Sequence, residues 1–143
     1  MRSPGQAART AYVGTWRSLR AGATATGLLD RLDRRRAADP DGAAAHLRSL
    51  FAIHDVEDLV RLDRPWWTYP ATAAVEQHLA ELDGRARVFE YGAGASSVWL
   101  ARRAGQVHSV EHDPGFAVVM RRVLAEQGLA DRLTLLEVPP TVS

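Results

Sequence analysis

The sequence predicts an α/β fold, a short parallel sheet wound with helices and preceded by an all-helical region. Three observations predict it. From Arg85 onward, short apolar runs at Arg87–Tyr91, Gln106–Glu111 and Leu133–Val138 alternate with segments of helical spacing. Before about Asp83, apolar residues recur at helical spacing throughout. A turn bearing two glycines, Gly92-Ala93-Gly94, joins the first run to the helical segment behind it. Strands alternating with helices of this length form βαβ units, and right-handed crossovers then place the three strands in the spatial order 3-2-1.

In chain order, Ala8–Arg20 and Thr26–Ala38 read as helices, and the second stops at the turn cluster Asp39-Pro40-Asp41-Gly42. A third helix from Gly42 to Ile53 would present Ala44, Leu47, Leu50 and Phe51 on one face. Asp55 can cap a short helix through Leu62, with Asp58 as the acid of its first turn. Two prolines bracket Arg64-Pro65-Trp66-Trp67-Thr68-Tyr69-Pro70 and make it irregular. Pro70 can open a helix to Leu82 that buries Ala74, Val75, His78, Leu79 and Leu82. After the first strand, a helix from Ser97 to Ala104 ends on Gly105 as on a C′ glycine. The second strand meets the turn His112-Asp113-Pro114-Gly115, and a helix from Phe116 to Gly128 turns Val119, Val123 and Leu124 inward. Pro139-Pro140 stops the third strand. Residues 1–63 thus form a helical N-terminal arm, and residues 64–143 the α/β part.

Composition narrows the chemistry. The chain of 143 residues suits one domain, with 46% hydrophobic and 24% charged residues and a net charge of +1. That charge gives no global field toward nucleic acid or an anionic membrane, and no apolar run reaches the roughly 18 residues of a membrane span. Cysteine is absent, which removes disulfides, thiolate zinc sites and a cysteine nucleophile; a cytoplasmic setting is the expectation. All 18 basic residues are arginine, so a Walker-type phosphate loop, a Schiff base and a lysine general base are excluded as well. Met1–Leu29 holds four arginines and no acid, but it lacks the apolar core of a signal peptide and reads as a basic helical arm.

The informative string is Val88-Phe89-Glu90-Tyr91-Gly92-Ala93-Gly94-Ala95-Ser96-Ser97. A strand that feeds a helix through glycines lets backbone approach a ligand closely, and the helix start offers unpaired N–H groups. Glu111 falls 19 residues after Gly92, at the end of the second strand, where a carboxylate can accept both hydrogen bonds of a ribose diol. A dinucleotide fingerprint wants Gly or Ala where Ser97 stands, and Glu90 would repel a pyrophosphate while welcoming a cationic group. Electrostatics therefore favours a sulfonium cofactor, S-adenosylmethionine, over NAD.

With these residues in view, V-F-E-Y-G-A-G-A-S-S followed by V-H-S-V-E-H-D resembles motifs I and II of the class I S-adenosylmethionine-dependent methyltransferases, over about residues 64–138. The resemblance implies a Rossmann-like methyltransferase fold, S-adenosylmethionine as cofactor and a small-molecule methyl acceptor. It implies that Glu90, Gly92 and Gly94 surround the amino-acid end of the cofactor, that Glu111 binds its ribose, and that His112 lies beside its adenine. Ser96 stands where many members carry a third glycine, a small replacement that the site should tolerate. The family's sheet continues with strands 4 to 7, whereas this sequence stops after strand 3, so the expected fold is partial and strand 1 is expected to be an edge. The N-terminal helices, or a second copy or partner chain, would then cover that edge, unless nothing does because the chain is a truncated product.

Other readings stand beside these. Glu90 could pair with Arg85 or Arg87, and Asp113 could replace Glu111 on the ribose, although its place suits a helix cap. Trp66, Trp67 and Tyr69 form either a wall over the cofactor or a hydrophobic plug, and Thr68 could donate to the methionine carboxylate. His108, Glu111 and His112 lack a third ligand on one face, so no metal is expected. Ser96 and Ser97 lack the glycine of a nucleophile elbow, and no residue reads as a general base. Arg31, Arg34, Arg35 and Arg36 alternate with Asp30 and Asp33 as a solvated face rather than a nucleic-acid patch. Two further functions remain: a non-catalytic remnant acting as an interaction module, and an NAD(P)-linked oxidoreductase.

Overall fold

Three apolar segments that each alternate in and out pair side by side as parallel strands in the computed structural model, which describes residues 4–139. They are β1 (Arg87–Tyr91), β2 (Gln106–Glu111) and β3 (Leu133–Glu137), in the order β1-β2-β3. This is the 3-2-1 order expected from right-handed crossovers. Register places Val88 beside Val107, Glu90 beside Ser109, and Glu111 beside Glu137. Side chains alternate along a strand, so Val88, Glu90, Val107, Ser109, Glu111, Leu133 and Leu135 share one face. Helices cover that face. α6 (Ala95–Arg103) packs on β2, and α7 (Pro114–Glu126) packs on β2 and β3.

The chain divides between Asp55 and Val56 into two compact units. In the first, α1 (Pro4–Ala25), α2 (Leu28–Ala38) and α3 (Ala43–Leu50) enclose a small core of Ala23, Leu29 and Leu32, edged by Leu28, Ala44 and Phe51. α3 buries Ala45 and Arg48, whereas Leu47 and Leu50, expected inward, are exposed. The helix is turned so that the fully buried Arg48 reaches α2, where its Nε donates to Asp33 Oδ1 at 3.1 Å. That pairing satisfies a cation that burial would otherwise penalise heavily.

The second unit holds α4 (Val56–Arg61), α5 (Tyr69–Glu81), the sheet and its two crossover helices. α4, expected with the arm, therefore falls with the sheet. α5 buries only Thr72 and Leu79, a narrow seam, and leaves Ala74 and His78 exposed where the spacing predicted them inward. α6 is nearly all buried, with Val98, Trp99, Leu100 and Ala101 in the core. Trp99 takes the edge of Trp67 on one side, at 5.6 Å between ring centres, and the Arg103 guanidinium on its face at 4.2 Å. Trp67 thereby serves as a packing plug, while Trp66 is exposed. Gly105 does close α6, but not in the left-handed conformation of a C′ glycine. A Cβ there would fall 2.3 Å from the Gly84 carbonyl oxygen, so close backbone approach is what demands glycine.

An ion cluster ties α6 to the loop after α4 and to α5. Asp63 accepts from Arg102 at 2.5 Å and from Arg103 at 2.7 Å, and Arg103 also donates to Glu76 at 2.9 Å. Burial would raise the Asp63 carboxyl, but the hydrogen bonds and charges of Arg103 and Arg102 outweigh it and hold it below the ordinary value. A carboxyl lowered in this way contributes stability above its unfolded value and loses it as pH falls through the folded one. In urea titrations, the stability gap between the wild type and Asp63→Asn should be full at neutral pH and close as pH drops below about 4. Replacement of the buried Trp99 by alanine should cost about 3–5 kcal/mol in the same assay, while Tyr91→Ser, on the open strand face, should cost little.

Candidate cofactor-binding site

The carboxyl ends of β1 and β2 each break into a turn, and both turns lead into a helix start. The β1 turn begins with Gly92, whose φ of 79° lies in the left-handed region that favours glycine. Its N–H donates to the Val110 carbonyl at 2.7 Å, which extends the ladder by one bond before the chain leaves the sheet. Gly94 then enters α6 in extended backbone, with φ 176°, a conformation open to any residue. A Cβ built on Gly94 would meet nothing within 4 Å. Neither conformation nor internal packing accounts for glycine there.

Glu111 joins the two turns. Its Oε2 accepts from the Ala93 N–H at 3.0 Å in the β1 turn, and its Oε1 accepts from the His112 and Asp113 N–H groups in its own turn, both at 2.8 Å. Glu111 is 4% exposed. The His112 ring Nδ1 stands 3.2 Å from Oε1, with the rest of the ring exposed. An ionised carboxylate offers about four lone-pair sites, of which three hold backbone N–H groups. The sequence expectation that Glu111 accepts both hydroxyls of a diol therefore meets a carboxylate with one site open, on Oε2.

Glu90 is half-buried at the end of β1. Its Oε1 accepts from Ser109 Oγ at 2.7 Å and from Ser97 Oγ in a short contact. Ser97 Oγ in turn accepts the Gly94 N–H at 3.0 Å. Neither Arg85 nor Arg87 bonds to Glu90: Arg85 Nε donates to the Leu82 carbonyl, and Arg87 is exposed. Asp113 caps α7, its Oδ1 accepting the Phe116 N–H at 3.1 Å, as its position suggested.

The structure thus brings Glu90, Gly92, Gly94, Glu111 and His112 together around two adjoining turns. Ser96 lies in the first turn of α6, half-buried and outside the hydrogen-bonded group. Thr68 also lies outside it and caps α5, with its Oγ1 accepting the Ala71 N–H at 3.4 Å. The sequence reading missed the hydroxyls. Sequence spacing weighs Ser97 only as a non-glycine and against a nucleophile elbow, and passes over Ser109, although the alternation Ser109-x-Glu111 puts it on the covered strand face. Among the described residues no cluster of three metal-ligating side chains occurs, and no helix is long and apolar enough to cross a membrane.

No protein-family model matches the chain. Over 101 residues it is 37% identical to the protein-L-isoaspartate O-methyltransferase of Anaeromyxobacter dehalogenans, a span of 64% of this chain and 48% of that protein. A candidate caffeoyl-CoA O-methyltransferase from Staphylococcus aureus superposes with a TM-score of 0.50 at 15% identity, over 77% of this chain and 50% of that one. A candidate O-methyltransferase from Klebsiella pneumoniae gives 0.47 at 24% identity, over 75% and 49% of the two chains. The chain spans about half the length of these relatives. Its fold is the Rossmann-like α/β fold of the class I S-adenosylmethionine-dependent methyltransferases, with a parallel sheet, flanking helices and an N-terminal helical region. In fold, and over that span in sequence, the chain is similar to methyltransferases.

Because Glu111 holds N–H groups of both turns, its removal should cost more than an ordinary side-chain deletion. Glu111→Ala would leave three main-chain donors without their acceptor and should lower unfolding free energy by about 3 kcal/mol or more, read by denaturant midpoint. An unchanged midpoint would show that the turns stand without it.

Proposed function

We propose that this chain is the cofactor-holding part of an S-adenosylmethionine-dependent methyltransferase acting on a small-molecule acceptor. The observation that carries the reading is Gly94. Its backbone needs no glycine and the space over its Cα is empty of protein, so the missing side chain suits close approach of a ligand. The neighbouring groups match the cofactor's chemistry. Glu90 presents a carboxylate to its amino-acid end, the remaining lone pair of Glu111 suits one ribose hydroxyl, and the exposed His112 ring offers a flat surface to the adenine. Bound S-adenosylmethionine would supply a methyl carbon made electrophilic by its sulfonium.

The chain's own residues would orient rather than react. Gly92 and Gly94 bring main chain against the ligand, Glu90 adds negative charge where the ligand is cationic, and Glu111 fixes the spacing of the turns. A dinucleotide fits this set less well, because a pyrophosphate over the glycine turn would face the Glu90 carboxylate. In calorimetric titrations, S-adenosylhomocysteine should bind and NAD should not. Gly94→Ala should shift stability by less than about 0.5 kcal/mol yet weaken S-adenosylhomocysteine about tenfold or more, because the added methyl occupies ligand space and not protein space. Equal binding by Gly94→Ala, or preference for NAD, would remove this reading.

One observation favours a second reading, an interaction module that works through the sheet. Phe89 and Tyr91 are 55% and 87% exposed on the uncovered face of β1, Leu136 lies exposed on the same face of β3 across β2, and parallel sheets ordinarily bury both faces. Sedimentation velocity at rising concentration reads this directly. Self-association reversed by Phe89→Ser with Tyr91→Ser supports a second copy of the chain on that face, and a constant monomer removes it.

A further inference from the structure

Each serine hydroxyl at this site has one proton to give, and that arithmetic fixes the direction of every bond around Glu90. Ser97 Oγ accepts the Gly94 N–H at 3.0 Å and gives its proton to Glu90 Oε1. Ser109 Oγ gives its proton to the same oxygen at 2.7 Å. The 3.4 Å separation of the two Oγ atoms is then a packing contact, since both protons are already placed. Oε1 is therefore filled by two donors. Oε2 has no hydrogen-bond donor among the described residues. Both serines are fully buried, so water does not compete for their hydroxyls.

We propose that Ser109 is a positioning residue: with Ser97 it pins Oε1 of Glu90 inward, so that Oε2 is the oxygen offered to the cationic, amino-acid end of the ligand. The assignment rests on the cofactor reading above. Its physical basis is preorganisation. A carboxylate on a short strand end could swing among rotamers, and each immobilised side chain costs free energy when the ligand arrives. Two buried donors, one from the neighbouring strand in register and one from the helix start, meet that cost during folding. Ser109 reaches Glu90 only because the strands pair with Glu90 beside Ser109, so the sheet register itself sets the ligand-facing oxygen.

The test compares two ligands in calorimetric titration against the full chain. S-adenosylhomocysteine carries the amino-acid end, and 5′-methylthioadenosine lacks it. Ser109→Ala should weaken S-adenosylhomocysteine about tenfold, roughly the worth of one hydrogen bond to a charged group, and leave 5′-methylthioadenosine within about twofold. Ser109→Thr, which keeps the hydroxyl, should recover most of the loss, and melting of each ligand-free variant separates poor packing from poor positioning. Equal weakening of both ligands would mean that Ser109 merely supports the fold and would overturn the proposal, as would unchanged binding of both. Failure of the wild type to bind S-adenosylhomocysteine at all would overturn the cofactor reading, and the positioning role with it. Wild-type binding with an indifferent Ser109→Ala would overturn the positioning role alone.

Discussion

The site depends on one buried carboxylate. Glu111 accepts a main-chain N–H from the turn after β1 and two from the turn after β2, so one side chain sets the spacing between two segments far apart in sequence. Hydrogen bonds to an ionised acceptor are among the stronger ones available to a protein, and burial keeps water from replacing them. This tie adds to the Gly92–Val110 hydrogen bond in holding the first turn in register with the second. The Glu90 pair with Ser97 and Ser109 builds on the same frame, because Ser109 and Glu111 share one face of β2.

These two acids divide the work in a way their sequence positions do not disclose. Both end a strand, and both can be read simply as ligands. In the fold, Glu111 spends most of its accepting capacity on the protein itself, whereas Glu90 concentrates its internal bonds on one oxygen and leaves the other open. The first is mainly architectural, and the second keeps one oxygen clear of protein donors. Negative charge at the end of β1 also weighs against a pyrophosphate and so separates the adenosyl reading from the dinucleotide one.

The alternating half of the chain was legible in the sequence because its signals are local. Strand bounds at Arg87–Tyr91 and Gln106–Glu111, the 3-2-1 order and the Asp113 cap all follow from period, turn chemistry and chirality. The helical half was less legible. In α3 the spacing favoured Leu47 and Leu50 as the buried face, but tertiary pairing of Arg48 with Asp33 turned the helix the other way. Alanine-rich helices give weak phase information, since small residues suit either side, and α5 shows the same ambiguity at Ala74. At the site, sequence spacing named the acids and glycines. It could not say that Glu111 is already engaged by backbone, or that Ser109 faces Glu90, because both facts depend on inter-strand register.

The hold of Glu111 on the two turns is tested most directly at the Ala93 amide, which lies in a turn outside any helix or strand and has Glu111 Oε2 as its acceptor. Amide hydrogen exchange followed by NMR on the ligand-free chain should find Ala93 protected well below the exchange rate of an open turn, with that protection lost in Glu111→Ala, which removes the acceptor. Exchange of the Ala93 amide at the free-turn rate in the wild type would contradict the claim that Glu111 binds the two turns into one site.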